Sequence, residues 1–262
     1  MTLIDSSALS PAVYFIGAGP GDPELLTVKA YKILQKADVI VFADSLVPKQ
    51  ILEDTPKDAE LIPTSSITLE EIIPLMIDRV RRGLAVVRLQ SGDLSLYSAI
   101  QEQIHLLTAA DIPFQLIPGI SAFQGLAAKL ALELTIPELV QTIILTRVEG
   151  KASPMPESEE LASLAAHKAS LCLYLAARHV DKAQEKLLKY YPPEQQVAVC
   201  FRLGWPDEKI WVVPLSEMAK LTHRENLTRT TLYLISPALN QITGTRSQLY
   251  HPQHSHLFRP HP

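Results

Sequence analysis

Residues 12–16 (AVYFI) form a short apolar run without a polar break, the pattern of a strand buried on both faces. Gly17-Ala18-Gly19-Pro20-Gly21-Asp22 follows at once. Asp22 can cap a helix whose first position is Pro23, with Leu25, Leu26, Val28, Lys29 and Ile33 carrying a stripe through Gln35. Val39–Phe42 (VIVF) reads as a second buried strand. Thr68-Leu69-Glu70-Glu71 is a capping box opening a helix to Arg82, with Pro74 inside it as a kink or a shifted start and Gly83 closing it. The next strand spans residues 85–89, a loop at 90–93 leads into a helix over 96–110, and Phe114–Ile117 is a further strand before Pro118-Gly119.

Four apolar strands separated by helices predict a parallel, doubly wound sheet. Ligands of such sheets sit beyond the carboxyl ends of the strands, where the loops at 17–22, 43–46, 90–97 and 118–122 lie, so these loops are expected to form one site. Ser121 can cap a helix through Leu132, and after it the pattern changes. Strands are expected at 142–145, 170–175, 197–201, 209–213 and 230–235, with helices near 157–167, 180–190 and 216–221. Residues 197–201 and 209–213 flank Gly204-Trp205-Pro206-Asp207 and read as a hairpin, which makes the second sheet mixed. The expected fold is α/β with two α/β domains, 12–118 with a mainly parallel sheet and 119–240 with a mixed one, then an irregular tail at 241–262. Residues 150–156 read as a surface loop, and no internal repeat is visible.

Composition narrows the chemistry. The 262 residues are 47% apolar and 20% charged, with 24 Lys and Arg against 28 Asp and Glu, which describes a globular chain of net charge -4. An acidic balance without a long basic run argues against nucleic-acid or membrane-surface partners and requires any anionic substrate to meet positioned arginines. Cys172 and Cys200 both stand in apolar runs, and no CxxC or zinc spacing occurs, so a reducing cytoplasm and no protein-bound metal are expected. Four of the eight histidines, His251, His254, His256 and His261, crowd the tail at irregular spacing among prolines. The N-terminal residues 1–12 lack the basic and apolar regions of a leader, and no apolar run approaches the ~20 residues of a membrane span.

Three of only ten glycines fall in residues 17–22, a concentration that points to unusual backbone angles or close approach of another molecule. The spacing is G-x-G-x-G, and Pro20 lacks an amide that a phosphate would use, so the loop is a weak nicotinamide or flavin signal. Residues 13–30 (VYFIGAGPGDPELLTVKA) instead resemble the opening of the tetrapyrrole methylases, with their GxGPGDPxLLTxKA. Residues 39–47 (VIVFADSLV) resemble that family's second-strand segment. Ser91-Gly92-Asp93-Leu94-Ser95-Leu96-Tyr97 stands where the family has GGDPxxY or TGDPxxY, and Pro118-Gly119-Ile120-Ser121-Ala122 resembles its PG(I/V)(S/T)(S/A) turn. Residues 42–46 (FADSL), 133–150 and 205–210 (WPDEKI) are most similar to the branch that methylates carbon 11 of precorrin-4 or cobalt-precorrin-4 in cobalamin biosynthesis. The resemblance covers roughly residues 12–259. Leu94 departs from the family's proline, which frees a φ angle and adds an amide hydrogen, so altered cofactor affinity is the first consequence expected.

The resemblance implies a homodimer of two-domain subunits, S-adenosylmethionine as methyl donor, and an active site in the cleft between the domains. It implies that Pro20, Ser91, Gly92, Asp93, Tyr97, Ser121, Ala122, Leu175, Ala176 and Leu203 hold the cofactor, and that Gly19, Gly21, Asp22, Arg88, Glu149 and Arg202 contact the tetrapyrrole. Asp44 and Arg147 are the candidates for catalysis.

Residue chemistry runs beside that resemblance. A methyl leaves a sulfonium by in-line displacement, so the protein must align donor and nucleophilic carbon, shed water and keep cations away from the sulfur. Arg88, Arg147 and Arg202 stand at or past strand ends, where a guanidinium can grip a substrate carboxylate or simply join an ion pair. Asp44 can bind pyrrole nitrogens, act as a base, or cap the next segment, and Glu149 can pair with Arg147. Tyr97 can close over a cofactor or belong to the core. Competing readings are a methylase of the same superfamily acting on another precorrin carbon, on diphthamide precursors or on ribosomal RNA, a nucleotide-dependent reductase, and a tetrapyrrole carrier without catalysis.

Overall fold

The computed structural model describes residues 8–150 and 154–240. They divide into two compact units, the first ending at Gly125 and including Arg202–Glu208, the second comprising the remainder from Leu126. The division therefore falls inside a helix beyond the expected boundary at 118, and the turn at 202–208 groups with the first unit because its contacts lie there. The tail at 241–262, with its four histidines, lies outside the described residues.

The first unit is built on a five-stranded, wholly parallel sheet in the order β3-β2-β4-β1-β5, from β1 (Val13–Gly17), β2 (Val39–Phe42), β3 (Glu60–Pro63), β4 (Val86–Gln90) and β5 (Phe114–Ile117). Alternation sorts the strand residues onto two faces. Tyr14, Ile16, Ile40, Phe42, Val87 and Leu89 pack against Ala30, Ile33 and Leu34 of α1 (Val28–Leu34). Val13, Phe15, Val39, Val41 and Val86 pack against Ile72, Ile73, Met76 and Val80 of α2 (Leu69–Arg81) and Leu107 of α3 (Ile100–Ala109). Helices on both faces of a parallel sheet make this the doubly wound arrangement that the apolar runs predict.

Local differences have local causes. Asp22 caps only a 3-10 turn at Pro23–Leu25, and α1 restarts at Val28 under Thr27, whose hydroxyl accepts the Ala30 amide at 3.2 Å. Pro74 is carried inside α2, whose capping box is formed: Glu71 accepts the Thr68 amide at 2.7 Å. The third helix begins at Ile100 instead of residue 96, because Tyr97 and Ala99 hold left-handed backbone at φ 54° and 51°. Strand β3 escapes the hydrophobic pattern altogether; it is a largely exposed edge strand with only Leu61 and Ile62 apolar before Pro63.

The second unit carries a mixed sheet ordered β6-β7-β10-β8-β9, from β6 (Ile143–Arg147), β7 (Ser170–Tyr174), β8 (Gln196–Phe201), β9 (Lys209–Pro214) and β10 (Thr231–Ile235). Only β6 and β7 run parallel, and β8 and β9 form the expected antiparallel hairpin. Leu171, Leu173, Val197, Val199, Tyr233 and Ile235 pack on α5 (Leu161–Ala165), α6 (Val180–Leu187) and α7 (Met218–Arg224). Cys172 and Cys200 are both buried, and burial pushes the Cys172 thiol up to about 12. Among the described residues no helix is long and apolar enough to cross a membrane, and no group of three His, Cys, Asp or Glu could hold a metal. Helix α4 (Ala122–Lys129) spans the division between the units.

Candidate active site

The first unit gathers its loops at the carboxyl edge of the parallel sheet, and glycine is what lets them meet. Gly19 and Gly92 form an antiparallel bridge, with the Gly92 amide on the Gly19 carbonyl at 2.8 Å and the Gly19 amide on the Gly92 carbonyl at 3.2 Å. A methyl on Gly119 would stand 2.2 Å from the Gly92 carbonyl oxygen and 2.7 Å from Gly17, so three strand ends touch backbone to backbone. Above Gly92 the space is open: its φ of 69° favours glycine, and a Cβ there would meet nothing within 4 Å.

Asp93 ties two of these loops together. Its carboxylate accepts the Gly119 amide at 2.9 Å, the Ser95 amide at 2.9 Å and the Ser95 hydroxyl. Burial alone would raise its pKa; hydrogen bonds from Ser95, Gly119 and Leu94 outweigh that and hold it below the usual aspartate value. The amide gained at Leu94 thus faces the same carboxylate, while the Leu94 side chain is buried with α2 and α3. Ser121 precedes α4, and its amide is taken by the Gln124 side chain at 2.9 Å. Tyr97, 45% exposed, stands in the irregular stretch before α3 and not within a helix.

The turn at 202–208 packs against the glycine loop. Gln50 donates from one side-chain nitrogen to the carbonyls of Gly21 and Gly204, each at 2.7 Å. A methyl on Gly21 would collide with the Trp205 ring at 2.6 Å, and one on Gly125 would meet Leu203 at 2.8 Å and Pro20 at 3.4 Å. Pro20, Gly21 and Leu203 therefore share one small region. Arg202 is engaged locally: it reaches Asp207 at 2.6 Å and lies over the Trp205 ring at 4.8 Å. Asp22 accepts the Glu24 amide at 2.9 Å.

Asp44 and Arg88 make contacts that bear on the roles open to them. Asp44 accepts the Ser65 amide at 2.8 Å and the Ser65 hydroxyl at 2.7 Å, and that hydroxyl is the chief reason its pKa lies below the ordinary value. A stabilised carboxylate is a weak base, so capping and hydrogen-bond acceptance fit Asp44 better than proton abstraction. Arg88 does not present itself to a substrate carboxylate. It is 6% exposed, because its strand position faces α2 and α3, and burial lowers it to about 10.

In the second unit, Arg147 ends β6 and donates to the carbonyls of Val148 at 3.3 Å and Pro154 at 3.1 Å. With Glu149, Glu157, Glu160 and Lys186 it lines a cleft of about 240 Å³, inside which Lys186 pairs with Glu160 at 2.5 Å. Leu175 follows β7 with φ 52° and 64% of its surface exposed, while Ala176 beside it is buried. Left-handed backbone costs a leucine roughly 1–2 kcal/mol, and an exposed apolar residue held that way is the kind of strain that collects at ligand sites.

Residues 12–219 match the sequence profile of the tetrapyrrole (corrin/porphyrin) methylases. The chain belongs to that family. The precorrin-4 C(11)-methyltransferase of Pseudomonas aeruginosa is 42% identical over 248 residues, covering 95% of this chain and 98% of the relative. Among solved structures, a cobalt precorrin-4 methyltransferase of cobalamin biosynthesis superposes with a TM-score of 0.84 at 38% identity, covering 88% of this chain and 97% of the other. The uroporphyrin-III C-methyltransferase of Thermus thermophilus, complexed with S-adenosylhomocysteine, superposes with a TM-score of 0.73 at 25% identity, covering 87% of this chain and 99% of the other.

In this methylase the motif residues were legible, but several of their supports were not. Ser65 and Thr64 follow the unrecognised edge strand, and Gln50 sits in a 3-10 turn at Lys49–Leu52. Gln103 did leave a signal: it interrupts the apolar stripe of Ile100 and Leu107 at helical spacing, and a polar residue there must find partners.

Proposed function

We propose that this methylase transfers the methyl of S-adenosylmethionine to carbon 11 of precorrin-4 or its cobalt complex, giving precorrin-5 or cobalt-precorrin-5 and S-adenosylhomocysteine, as a cytoplasmic homodimer. The observation that carries the substrate is near-complete collinear identity of 42% with a relative of that named activity, joined to a TM-score of 0.84.

Two features of the site support this cofactor. The loops at 17–22, 43–46, 90–98 and 118–122 contain Asp22, Asp44 and Asp93 but no Lys or Arg, so nothing there repels a sulfonium. The open space over Gly92 leaves room for a ligand against backbone. In this reading Ser91, Gly92 and Asp93, with Ser121 and Ala122, take the ribose and amino-acid ends, and Pro20, Tyr97, Leu175, Ala176 and Leu203 supply apolar walls. The bound donor supplies an activated methyl, and the nucleophilic carbon is already electron-rich within the macrocycle. The protein's work is alignment and exclusion of water. Asp44 accepts a pyrrole N–H, Arg147 and Arg202 take peripheral carboxylates, and Gly19, Gly21, Asp22 and Glu149 shape the contact. The released proton passes to water.

Purified protein, isotopically methyl-labelled S-adenosylmethionine and enzymatically generated precorrin-4, with and without cobalt, test this by mass spectrometry. One labelled methyl on the macrocycle is expected. Cofactor binding without transfer would assign another acceptor, and no cofactor binding would overturn the reading.

A further inference from the structure

Arg88 is a buried cation at the crossing of two hydrogen-bond chains. From β4 its guanidinium donates through Nε to Gln103 Oε1 at 3.3 Å, and through Nη1 to the Val41 carbonyl and Thr64 Oγ1, both at 3.4 Å. Among the described residues no carboxylate lies within ion-pair distance of it, and burial lowers its pKa. A buried guanidinium satisfied only by neutral acceptors is costly, and it persists where its neighbours need its donors.

Each chain ends in a loop of the carboxyl edge. On one side Thr64 passes its own hydroxyl hydrogen to the Phe42 carbonyl at 3.2 Å, and the next residue, Ser65, holds Asp44 through two hydrogen bonds. On the other side Gln103 Nε2 donates to the Ala99 carbonyl at 3.2 Å, anchoring the left-handed end of the stretch that carries Tyr97. Gln90, also buried on this face, adds a bond to the Ser98 carbonyl at 2.8 Å. The guanidinium serves Gln103 and Thr64 from two different nitrogens held in one rigid plane, whereas an ammonium would have to reach both from a single nitrogen.

We propose that Arg88 is a positioning residue that sets the Asp44 loop through Thr64 and the 91–99 loop through Gln103, and so tunes tetrapyrrole and cofactor binding from beneath the site. The proposal rests on the assignment of those two loops in the reading above. It differs from direct capture of a substrate carboxylate, which a residue 6% exposed does not perform.

The two branches are separable by mutation. Thr64→Val removes one chain and is expected to raise KM for precorrin-4 about five- to tenfold, the worth of one positioning hydrogen bond, with the Kd for S-adenosylmethionine within about twofold of wild type. Gln103→Glu still accepts from Arg88, and gives it a counter-charge, but cannot donate to Ala99. It is expected to weaken S-adenosylmethionine about five- to tenfold by calorimetry while Tm stays at or above wild type. Arg88→Met moves both constants, and Arg88→Lys, which keeps the charge and loses the fork, behaves as Arg88→Met. If Arg88→Met does not fold, the Thr64 and Gln103 variants decide alone. Both constants unchanged in those two, or both rising together in step with lost Tm, overturns the proposal. A wild type that binds no S-adenosylmethionine would overturn the functional reading instead, whereas an active wild type with unaffected variants overturns only this inference.

Discussion

The Asp93 carboxylate and the Gly119 amide, 26 residues apart in the chain, meet at 2.9 Å and join the loop after β4 to the loop after β5. The bond does in tertiary structure what a disulfide would do covalently, holding two strand ends in one register. Around it Gly17, Gly92 and Gly119 touch backbone to backbone.

Asp93→Asn keeps the shape but cannot accept the Gly119 and Ser95 amides together. We expect about 1–3 kcal/mol of lost stability at pH 7 by urea titration and at least about tenfold weaker S-adenosylmethionine binding. The Asp93 pKa is depressed on folding, so its contribution is fully present above the unfolded value of about 3.9 and is lost as pH falls through the lower folded value. Stability curves of wild type and variant should therefore be parallel above about pH 5 and converge toward pH 3.

Gly119→Ala and Gly92→Ala separate packing from ligand access. The first drives a methyl into backbone on two sides, at 2.2 Å and 2.7 Å, and should cost more than about 3 kcal/mol or prevent folding. The second meets open space and pays only for φ 69°, about 1–2 kcal/mol. It should fold yet bind cofactor weakly, a split visible by thermal denaturation and calorimetry on one preparation.

Gln50→Leu strips the donor from the Gly21 and Gly204 carbonyls. A loss of about 1–3 kcal/mol is expected. Trp205 packs on Gly21 beside that bond, so its fluorescence should shift in the Trp211→Phe background, where it is the remaining tryptophan.

Asp44→Asn tests proton abstraction. Ser65 holds the carboxylate in its ionised, weakly basic form, so turnover at saturating substrate should fall less than about tenfold while KM for the tetrapyrrole rises. A loss of about a thousandfold in kcat, with the pH–rate profile altered, would restore Asp44 as the base.

Cys172, with its thiol pushed up to about 12, should resist iodoacetamide at pH 8 in the folded protein and react once urea exposes it. Mass spectrometry of the peptide reads this directly.

Much of this methylase was legible because its chemistry uses local backbone. A buried parallel strand must be a continuous apolar run, and a loop that turns sharply at its end must carry glycine, so β1, β2, β4, β5 and the motifs after them stood out one by one. The hairpin of β8 and β9 was legible for the same reason, since an antiparallel pair needs only a short turn. Strand β3 was not: a four-residue edge strand buries one face at most and leaves no period to read.

Sequence alone determined which segments alternate, where glycine was required and which family's motifs the chain carries, because each is written within a few consecutive residues. Tertiary structure decided what the polar side chains do. Arg88 and Arg202 read equally as carboxylate grips or ion-pair partners, and Asp44 as a pyrrole ligand, a base or a cap; in the fold Arg88 is a buried donor, Asp44 is held by Ser65, and Arg202 pairs with Asp207 over Trp205. The face on which a strand residue lands depends on the helices packed there, and a carboxylate's basicity depends on donors brought in from distant segments; neither is encoded at the residue itself.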